Sequence, residues 1–180
     1  VFALIFVGCS LTIESFFTVS NLRGLALAVS TTGMVACTML FCLASGDFDL
    51  SVGSGVAFAG VLAAVVTNAT GHVSIGFAAG IGAGAAVGFF NGITIAKCRI
   101  NALIATLATM QIVRGLGFIV SGGKAVGVSN EGFYAVGLGM VAGVPLPVVI
   151  TIGCFALFGF LLRSTVFGRN TLAVGGNAEA

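Results

Sequence analysis

Long apolar stretches separated by short polar connections are the feature that most constrains how this chain can fold. A helix that crosses the ~30 Å hydrocarbon core of a bilayer needs about 20 apolar residues. The chain is 58% hydrophobic and 7% charged, whereas about 25% of the residues in a soluble domain are charged. We therefore predict an all-α fold, a polytopic transmembrane helix bundle with about six spans. The predicted spans are residues 1–13, 21–45, 54–67, 73–96, 101–121 and 147–162, the third being short and either extended or partly discontinuous.

Basic residues predict the orientation of these spans. Lys97 and Arg99 follow the fourth span. Arg163 and Arg169 follow the sixth. An even number of crossings separates the two pairs, so both lie on one face, which the positive-inside rule makes cytoplasmic. Arg23, at the outer start of the second span, is the exception. The connections predicted to face outside are residues 14–22, 68–72 and 122–145, the last with a partly re-entrant or surface-lying segment.

Composition also limits the domain organisation and the class of function. We expect one transmembrane domain over residues 1–180, truncated at both ends, because Val1 already stands in an apolar run. The net charge of +2 is small and its basic residues are scattered, which argues against a nucleic-acid partner. The five cysteines and His72 are expected to be packing and loop residues rather than metal ligands. No catalytic cluster is present in the sequence, so we do not expect an enzyme.

Glycine recurs at every fourth position of the fourth predicted span. On a helix, this spacing places the glycines on one ridge that lacks side chains. Such a ridge lets a neighbouring helix approach closely in lipid, and pore lining is the alternative role. We predict tight helix packing, so that a bulky residue at Gly84 or Gly88 disrupts the bundle. The ridge residues are Gly76, Gly80, Gly84, Gly88 and Gly92.

Polar side chains within or beside the apolar spans are candidates for a translocation path, because burying charge in a bilayer is costly. Asp49 or Ser51 can alternatively cap the third helix. Arg114 is expected to pair with a carboxylate or with carbonyl groups. Together these groups offer hydrogen-bond donors and acceptors to a hydroxyl-rich solute. The candidate path residues are Asp47, Asp49, Ser51, Asn91, Asn101, Thr106, Gln111 and Arg114.

Several motifs in order along residues 46–180 resemble a known family. Residues 46–54 (GDFDLSVGS), 96–107 (AKCRINALIATL), 111–115 (QIVRG) and 168–180 (GRNTLAVGGNAEA) are similar to signatures of monosaccharide permeases of ABC importers. Within that family, residues 107–115 and 123–128 look most like the members that transport L-arabinose. Members for ribose, galactose and xylose are close relatives.

This resemblance implies a permease subunit in a bacterial inner membrane. It implies a homodimer that works with an ATP-binding subunit inside and a periplasmic sugar-binding protein outside. ATP and Mg²⁺ are then bound by the partner, and this chain binds no cofactor. The alternatives are a permease for another solute, including a branched-chain amino acid, and a secondary transporter. The resemblance also implies an ATPase-coupling loop, within about residues 164–180, that includes Gly168, Arg169, Asn170, Gly175, Gly176, Asn177 and Glu179.

Overall fold

The computed structural model describes residues 1–176, which form eight helices and one short hairpin. Helices α1 to α5 are Phe2–Thr12, Val19–Ala44, Val52–Thr70, Val73–Ala96 and Ala102–Ser121, and helices α6 to α8 are Glu131–Leu138, Leu146–Ser164 and Val166–Gly176. The strands β1 (Met140–Val141) and β2 (Val144–Pro145) pair antiparallel between α6 and α7. The predicted polytopic helical bundle is confirmed.

Five helices in the described part of the chain are long and apolar enough to cross a membrane, namely α2, α3, α4, α5 and α7. The first predicted span corresponds to α1, an apolar helix of 11 residues. Helix α3 is continuous over 19 residues, so of the two alternatives for the third span the extended one is correct and the partly discontinuous one is wrong. Outward-facing apolar side chains such as Ile81, Phe89 and Ile119 are more than two-thirds exposed. Such a surface suits contact with lipid.

Helices α3 and α4 form an antiparallel pair joined by a tight turn. Gly71 ends α3 in the left-handed region with φ 73°, a conformation that glycine adopts without strain. Small buried residues of α3, Ala63 and Ala64, then allow the neighbouring helices to approach closely. Helix α5 packs against α3 and also contacts α4.

The helices associate in two groups. The first group consists of α3, α4 and α5, and the second consists of α2, α7 and α8, whereas α2 and α3 touch only slightly. In the second group, Gly33 of α2 makes room for Thr151 and Phe155 of α7. The Thr151 hydroxyl donates a hydrogen bond of 3.1 Å to the carbonyl oxygen of Ser30 across the same seam.

The connections predicted to face outside lie together on one side of the bundle. Asn130 donates a hydrogen bond of 3.0 Å to the Gly71 carbonyl, which ties the start of α6 to the turn between α3 and α4. Arg23 donates one of 3.2 Å to the Gly143 carbonyl in the hairpin. The loop between α2 and α3 and the end of α8 meet on the opposite side, which we call the inner side. This separation of the connections into two sides is expected for helices that cross the membrane in alternating directions.

The segment 122–145 folds as a short helix followed by a hairpin. Phe133 of α6 stacks on Phe77 of α4 with ring centroids 5.4 Å apart, so α6 lies against the outer end of the bundle. The hairpin turns at Ala142 and Gly143, which both have positive φ, as a two-residue type I′ loop requires. A partly re-entrant or surface-lying segment was predicted here, and the hairpin was not.

Candidate functional site

The loop that connects the two helix groups begins with a defined helix end. Gly46 stands in the left-handed region with φ 87°. The Gly46 amide donates to the Leu43 carbonyl at 3.1 Å, and the Asp47 amide donates to the Cys42 carbonyl at 2.9 Å. These two bonds constitute a Schellman motif, which satisfies the last carbonyls of α2. The motif turns the chain so that Asp49 lies directly before the first turn of α3.

Three polar side chains meet at the inner end of α3 and α4, and we call them the Asp49 cluster: Asp49, Ser51 and Asn91. One carboxylate oxygen of Asp49 accepts from the Ser51 amide at 2.7 Å and from the Ser51 hydroxyl at 2.6 Å. The Asn91 amide nitrogen donates to the Ser51 hydroxyl oxygen at 2.8 Å and to the second Asp49 oxygen at 3.4 Å. Ser51 is 1% exposed and Asn91 is 3% exposed. The cluster therefore pins the start of α3 to α4.

The hydrogen-bond pattern fixes the orientation of the Asn91 amide. The Ser51 hydroxyl proton is used by Asp49, so the Ser51 oxygen can only accept, and a donor must face it. Turning the amide over would place its oxygen against the carboxylate. The Asn91 oxygen consequently points away from the cluster, and it is a buried acceptor without a partner among residues 1–176. The carboxylate of Asp49 also lies near the positive end of the α3 dipole, which stabilises its charge.

Helix capping by Ser51 or Asp49 was one expected role of this loop. The Asp49 carboxylate accepts from the backbone amide of Ser51 at the start of α3, whereas capping by the Ser51 side chain is contradicted. Ser51 occupies the position before α3, but its side chain makes no capping bond to that helix. Its hydroxyl is instead used by Asp49 and Asn91. The long-range contact to α4 takes the place of the local one.

A cavity of about 790 Å³ lies beside the Asp49 cluster, between α2, α3 and α4. We call it the Asp49 cavity. Asp49 and Ser51 line its inner end, and Phe77 and Phe133 line its outer end. Since Thr38 of α2 also lines it, the cavity lies on the boundary between the two helix groups.

The glycine ridge of α4 packs closely only in its outer part. An alanine Cβ at Gly76 would overlap the Thr67 hydroxyl, and one at Gly80 would lie 2.8 Å from the Ala59 carbonyl oxygen. At Gly84, and likewise at Gly88 and Gly92, it would meet no atom of the described chain within 4 Å. Gly84 and Gly88 instead line the Asp49 cavity. Among the described residues there is thus no packed seam at these two positions for a bulky residue to break through a contact of its Cβ.

Arg114 lies apart from the predicted carboxylate partners. It lines a second cavity of about 670 Å³ between α3 and α5, together with Phe58, and we call this the Arg114 cavity. Asp49 lines the other cavity. Lys124, which was not among the predicted site residues, lines the Arg114 cavity as well. The sequence feature that could have identified Lys124 as a site residue is its position directly after the glycine pair at the end of α5.

The remaining candidate path residues are separated from one another. Asn101 caps α5 by accepting from the amides of Leu103 and Ile104 at 3.0 and 3.4 Å. The Thr106 hydroxyl is fully buried and donates to a carbonyl of its own helix. Gln111 faces outward, and Asp47 is exposed in the inner loop. Of the eight candidates, the structure joins Asp49, Ser51 and Asn91.

Helix α8 contains the described part of the predicted coupling loop. Its sharp start fits Gly168 against the carbonyls of Leu161 and Leu162, where a side chain has no room. The Gly168 amide donates to the Thr165 hydroxyl at 3.2 Å, as at a helix N-cap. Phe167 lies 5.7 Å from Phe41 of α2 between ring centroids.

The far end of α8 meets the end of α2. An alanine Cβ at Gly175 would overlap the Ala44 carbonyl oxygen, whereas one at Gly176 meets nothing within 4 Å. Arg169 and Asn170 are exposed on the inner side. The predicted coupling residues Asn177 and Glu179 lie outside the described residues.

Five membrane-length helices, a glycine-packed helix pair and cavities along the helix seams are the features of a multi-pass transport protein. The chain belongs to the family described as the permease component of branched-chain amino acid transport systems, whose model matches residues 21–180. Membership and the five helices make it a multi-pass protein of the bacterial inner membrane.

Particular relatives are named for sugars. The chain is 57% identical over all its 180 residues to the L-arabinose transport system permease protein AraH of Escherichia coli (strain K12), of which it covers 55%. It is 52% identical over 180 residues to the L-arabinose ABC transporter permease protein AraH of Azospirillum brasilense, covering 53% of that protein. The ribose import permease protein RbsC of Escherichia coli (strain K12) is 34% identical over 173 residues, with 92% of this chain and 53% of that protein covered.

The chain thus spans about half the length of the curated relatives it matches. No solved structure matches it. The relationship to sugar permeases that the motifs predicted is confirmed.

Proposed function

We propose that this chain forms the membrane-spanning path of the permease subunit in an ATP-driven ABC importer of L-arabinose. One observation carries the proposal. Identity to two permeases named for L-arabinose is 57% and 52% over the whole chain, against 34% for a permease named for ribose. Differences of this size within one family favour a shared substrate with the nearer relatives.

The cavities are compatible with a neutral, hydroxyl-rich solute. Both lie along helix seams and are lined mainly by apolar side chains, with Asp49 and Ser51 in one and Arg114 and Lys124 in the other. A few hydrogen-bonding groups on an apolar wall suit a monosaccharide, which carries no charge to be neutralised. A branched-chain amino acid, the solute in the family's description, carries a carboxylate and an ammonium group. It would need a complementary charge pair in one cavity, and each of these cavities has charged residues of a single sign.

The partners in this proposal are an ATP-binding subunit on the inner side, a periplasmic sugar-binding protein and a second permease copy. ATP and Mg²⁺ are bound by the ATP-binding subunit, so the permease itself is not catalytic. Support for an inner partner comes from α8, which presents exposed Arg169 and Asn170 beside the predicted cytoplasmic loop. Support for the importer class comes from the relatives named as transport-system permeases.

Uptake of labelled L-arabinose tests this proposal. Cells that lack their own arabinose permease would express the full-length gene product containing this chain. The ATP-binding subunit would be present, omitted or replaced by a variant that binds but does not hydrolyse ATP. Ribose, galactose and xylose would be added as unlabelled competitors. We expect uptake only with the active subunit and the binding protein, and little competition from the other sugars.

The possible results separate the mechanism from the substrate. Uptake that persists without the ATP-binding subunit would contradict the importer and favour a secondary transporter. Partner-dependent uptake that unlabelled ribose, galactose or xylose abolishes would keep the mechanism and change the assigned sugar.

A further inference from the structure

We infer that the contact between Gly175 and the end of α2 transmits movement of α8 to the Asp49 cluster, which makes Gly175 and Ser51 positioning residues for transport. This inference rests on the proposed function, because it concerns how an ATP-binding subunit would act on the permease. It assigns a physical role to the motif at residues 46–54.

The contact between α8 and α2 is made by backbone atoms. A Cβ placed on Gly175 would lie 2.9 Å from the carbonyl carbon of Ala44 and 3.0 Å from that of Ser45, and would overlap the Ala44 oxygen. A Cβ placed on Gly46 would lie 3.6 Å from the Gly175 Cα. No flexible side chain stands between the two elements at this point. A displacement of the α8 end is therefore passed to the loop rather than absorbed.

Helix α8 is also held at its other end. Phe167 contacts Phe41 of α2, and the start of the helix is fixed by Gly168 against the end of α7. Two separate attachments to α2 make α8 a lever across the end of that helix. A partner that docks on the exposed face of α8 acts on the whole second helix group.

The loop after Gly46 is too short to absorb much movement. Its three steps to Asp49 span at most about 11 Å when fully extended. Hydrogen bonds fix both ends, since the Schellman motif holds Gly46 and the cluster holds Asp49. Because α2 and α3 touch only slightly, this loop is the short covalent link between the two helix groups on the inner side.

The Asp49 cluster is where the movement takes effect. Its bonds hold the inner end of α3 against Asn91 of α4, at one end of the Asp49 cavity. The cavity itself is bounded by both helix groups. Displacing the loop pulls on Asp49, weakens these bonds and changes the width of the inner end. Asp49, Ser51 and Asn91 therefore act through position, without any need to bind the sugar.

Two substitutions with matched controls test the inference. Gly175→Ala places a methyl group against the Ala44 carbonyl, whereas Gly159→Ala on α7 places one where no atom lies within 4 Å. Ser51→Ala removes the hydroxyl that bonds to both Asp49 and Asn91, and it leaves only their direct contact of 3.4 Å. Ser30→Ala removes an equally buried hydroxyl that bonds only to its own helix.

Full-length protein would be reconstituted in proteoliposomes with the ATP-binding subunit and the sugar-binding protein. Entry of labelled L-arabinose and hydrolysis of ATP would be measured in the same vesicles. We expect Gly175→Ala and Ser51→Ala to lower the sugar transported per ATP hydrolysed about fivefold or more, the lower range of coupling between sites. The two controls should stay within about twofold of the parent protein, because neither touches the contact.

Co-purification of the ATP-binding subunit with each variant separates coupling from docking. Equal co-purification with a lowered ratio supports the inference. A ratio like that of the controls, or loss of the ATP-binding subunit from Gly175→Ala, would overturn it. If Gly175→Ala does not accumulate, the Ser51→Ala and Ser30→Ala comparison decides alone. If the parent protein shows no ATP-driven entry, the proposed function itself fails.

Discussion

Replacing Gly76 by alanine should loosen the pair formed by α3 and α4, and this substitution measures the packing of the glycine ridge. The new Cβ would overlap the Thr67 hydroxyl and the Ala63 carbonyl of α3. The hydroxyl can rotate with its side chain, but the carbonyl belongs to a helix backbone and cannot yield alone. The helices must therefore separate, which also weakens contacts along the rest of the seam.

The expected loss follows from two opposing effects. Overpacking a well-packed seam costs about 1–3 kcal/mol. Exchanging glycine for alanine within a helix contributes about 0.5–1 kcal/mol of stability through backbone entropy. Gly84→Ala gains the same entropy without the overlap, since no atom lies within 4 Å of its Cβ. The difference between the two variants should therefore be about 1–3 kcal/mol, with Gly80→Ala between them.

Unfolding of the full-length protein in detergent micelles, followed by circular dichroism, measures these free energies. A double variant adds a second check, because Thr67→Ala removes one of the two groups that the new methyl group meets. Part of the loss in Gly76→Ala should then be recovered. Equal stabilities of Gly76→Ala and Gly84→Ala, or no recovery in the double variant, would refute this account of the ridge.

Further predictions concern the cluster, the second helix group and the topology. Asn91→Leu should lower the free energy of unfolding in micelles by about 1–3 kcal/mol, because buried polar groups lose their hydrogen bonds. A loss below about 0.5 kcal/mol, the usual size of the effect of a surface substitution, would contradict that. Gly33→Ala should destabilise the α2–α7 seam relative to Gly24→Ala, since only the former Cβ would crowd a neighbour, at 2.9 Å; equal melting temperatures would count against this. In two proteins that each keep a single cysteine, Lys124→Cys should react with a membrane-impermeant maleimide added outside, whereas native Cys98 should not; the reverse pattern would invert the topology.

Sequence length and charge were sufficient to predict where the membrane-length helices lie. Apolar runs near 20 residues with polar breaks have one stable solution in lipid, because every backbone group must be paired within the segment. Asn101 was predicted to start α5, and it does so through its side chain. Two connections lie on the same side of the membrane when an even number of spans separates them. The number of spans therefore also predicted which connections could meet.

Sequence could not predict which face of each helix packs. In a bilayer both the lipid-facing and the protein-facing sides are apolar, so hydrophobic periodicity carries little information about burial. Gln111 was selected as a path residue and faces outward, while Thr106 on the same helix is fully buried. The glycine ridge was regular in sequence, but of its five glycines only Gly76 and Gly80 pack closely against α3.

The sequence also could not predict contacts between segments that are far apart in the chain. Ser51 and Asn91 are 40 positions apart, and their hydrogen bond replaced the local cap that the loop sequence favoured. The contact of Gly175 with the end of α2 likewise joins segments from opposite parts of the chain. Neither has a local signature, because each depends on how two helix groups are arranged around a short loop.

The most direct test of the central claim is ATP hydrolysis in proteoliposomes that contain the full-length permease and its ATP-binding subunit. The sugar-binding protein would be added outside, either empty or loaded with labelled L-arabinose. The account predicts that hydrolysis rises with the loaded protein and that label accumulates inside the vesicles. Accumulation without the ATP-binding subunit, or hydrolysis that the loaded protein leaves unchanged while no label enters, would contradict it.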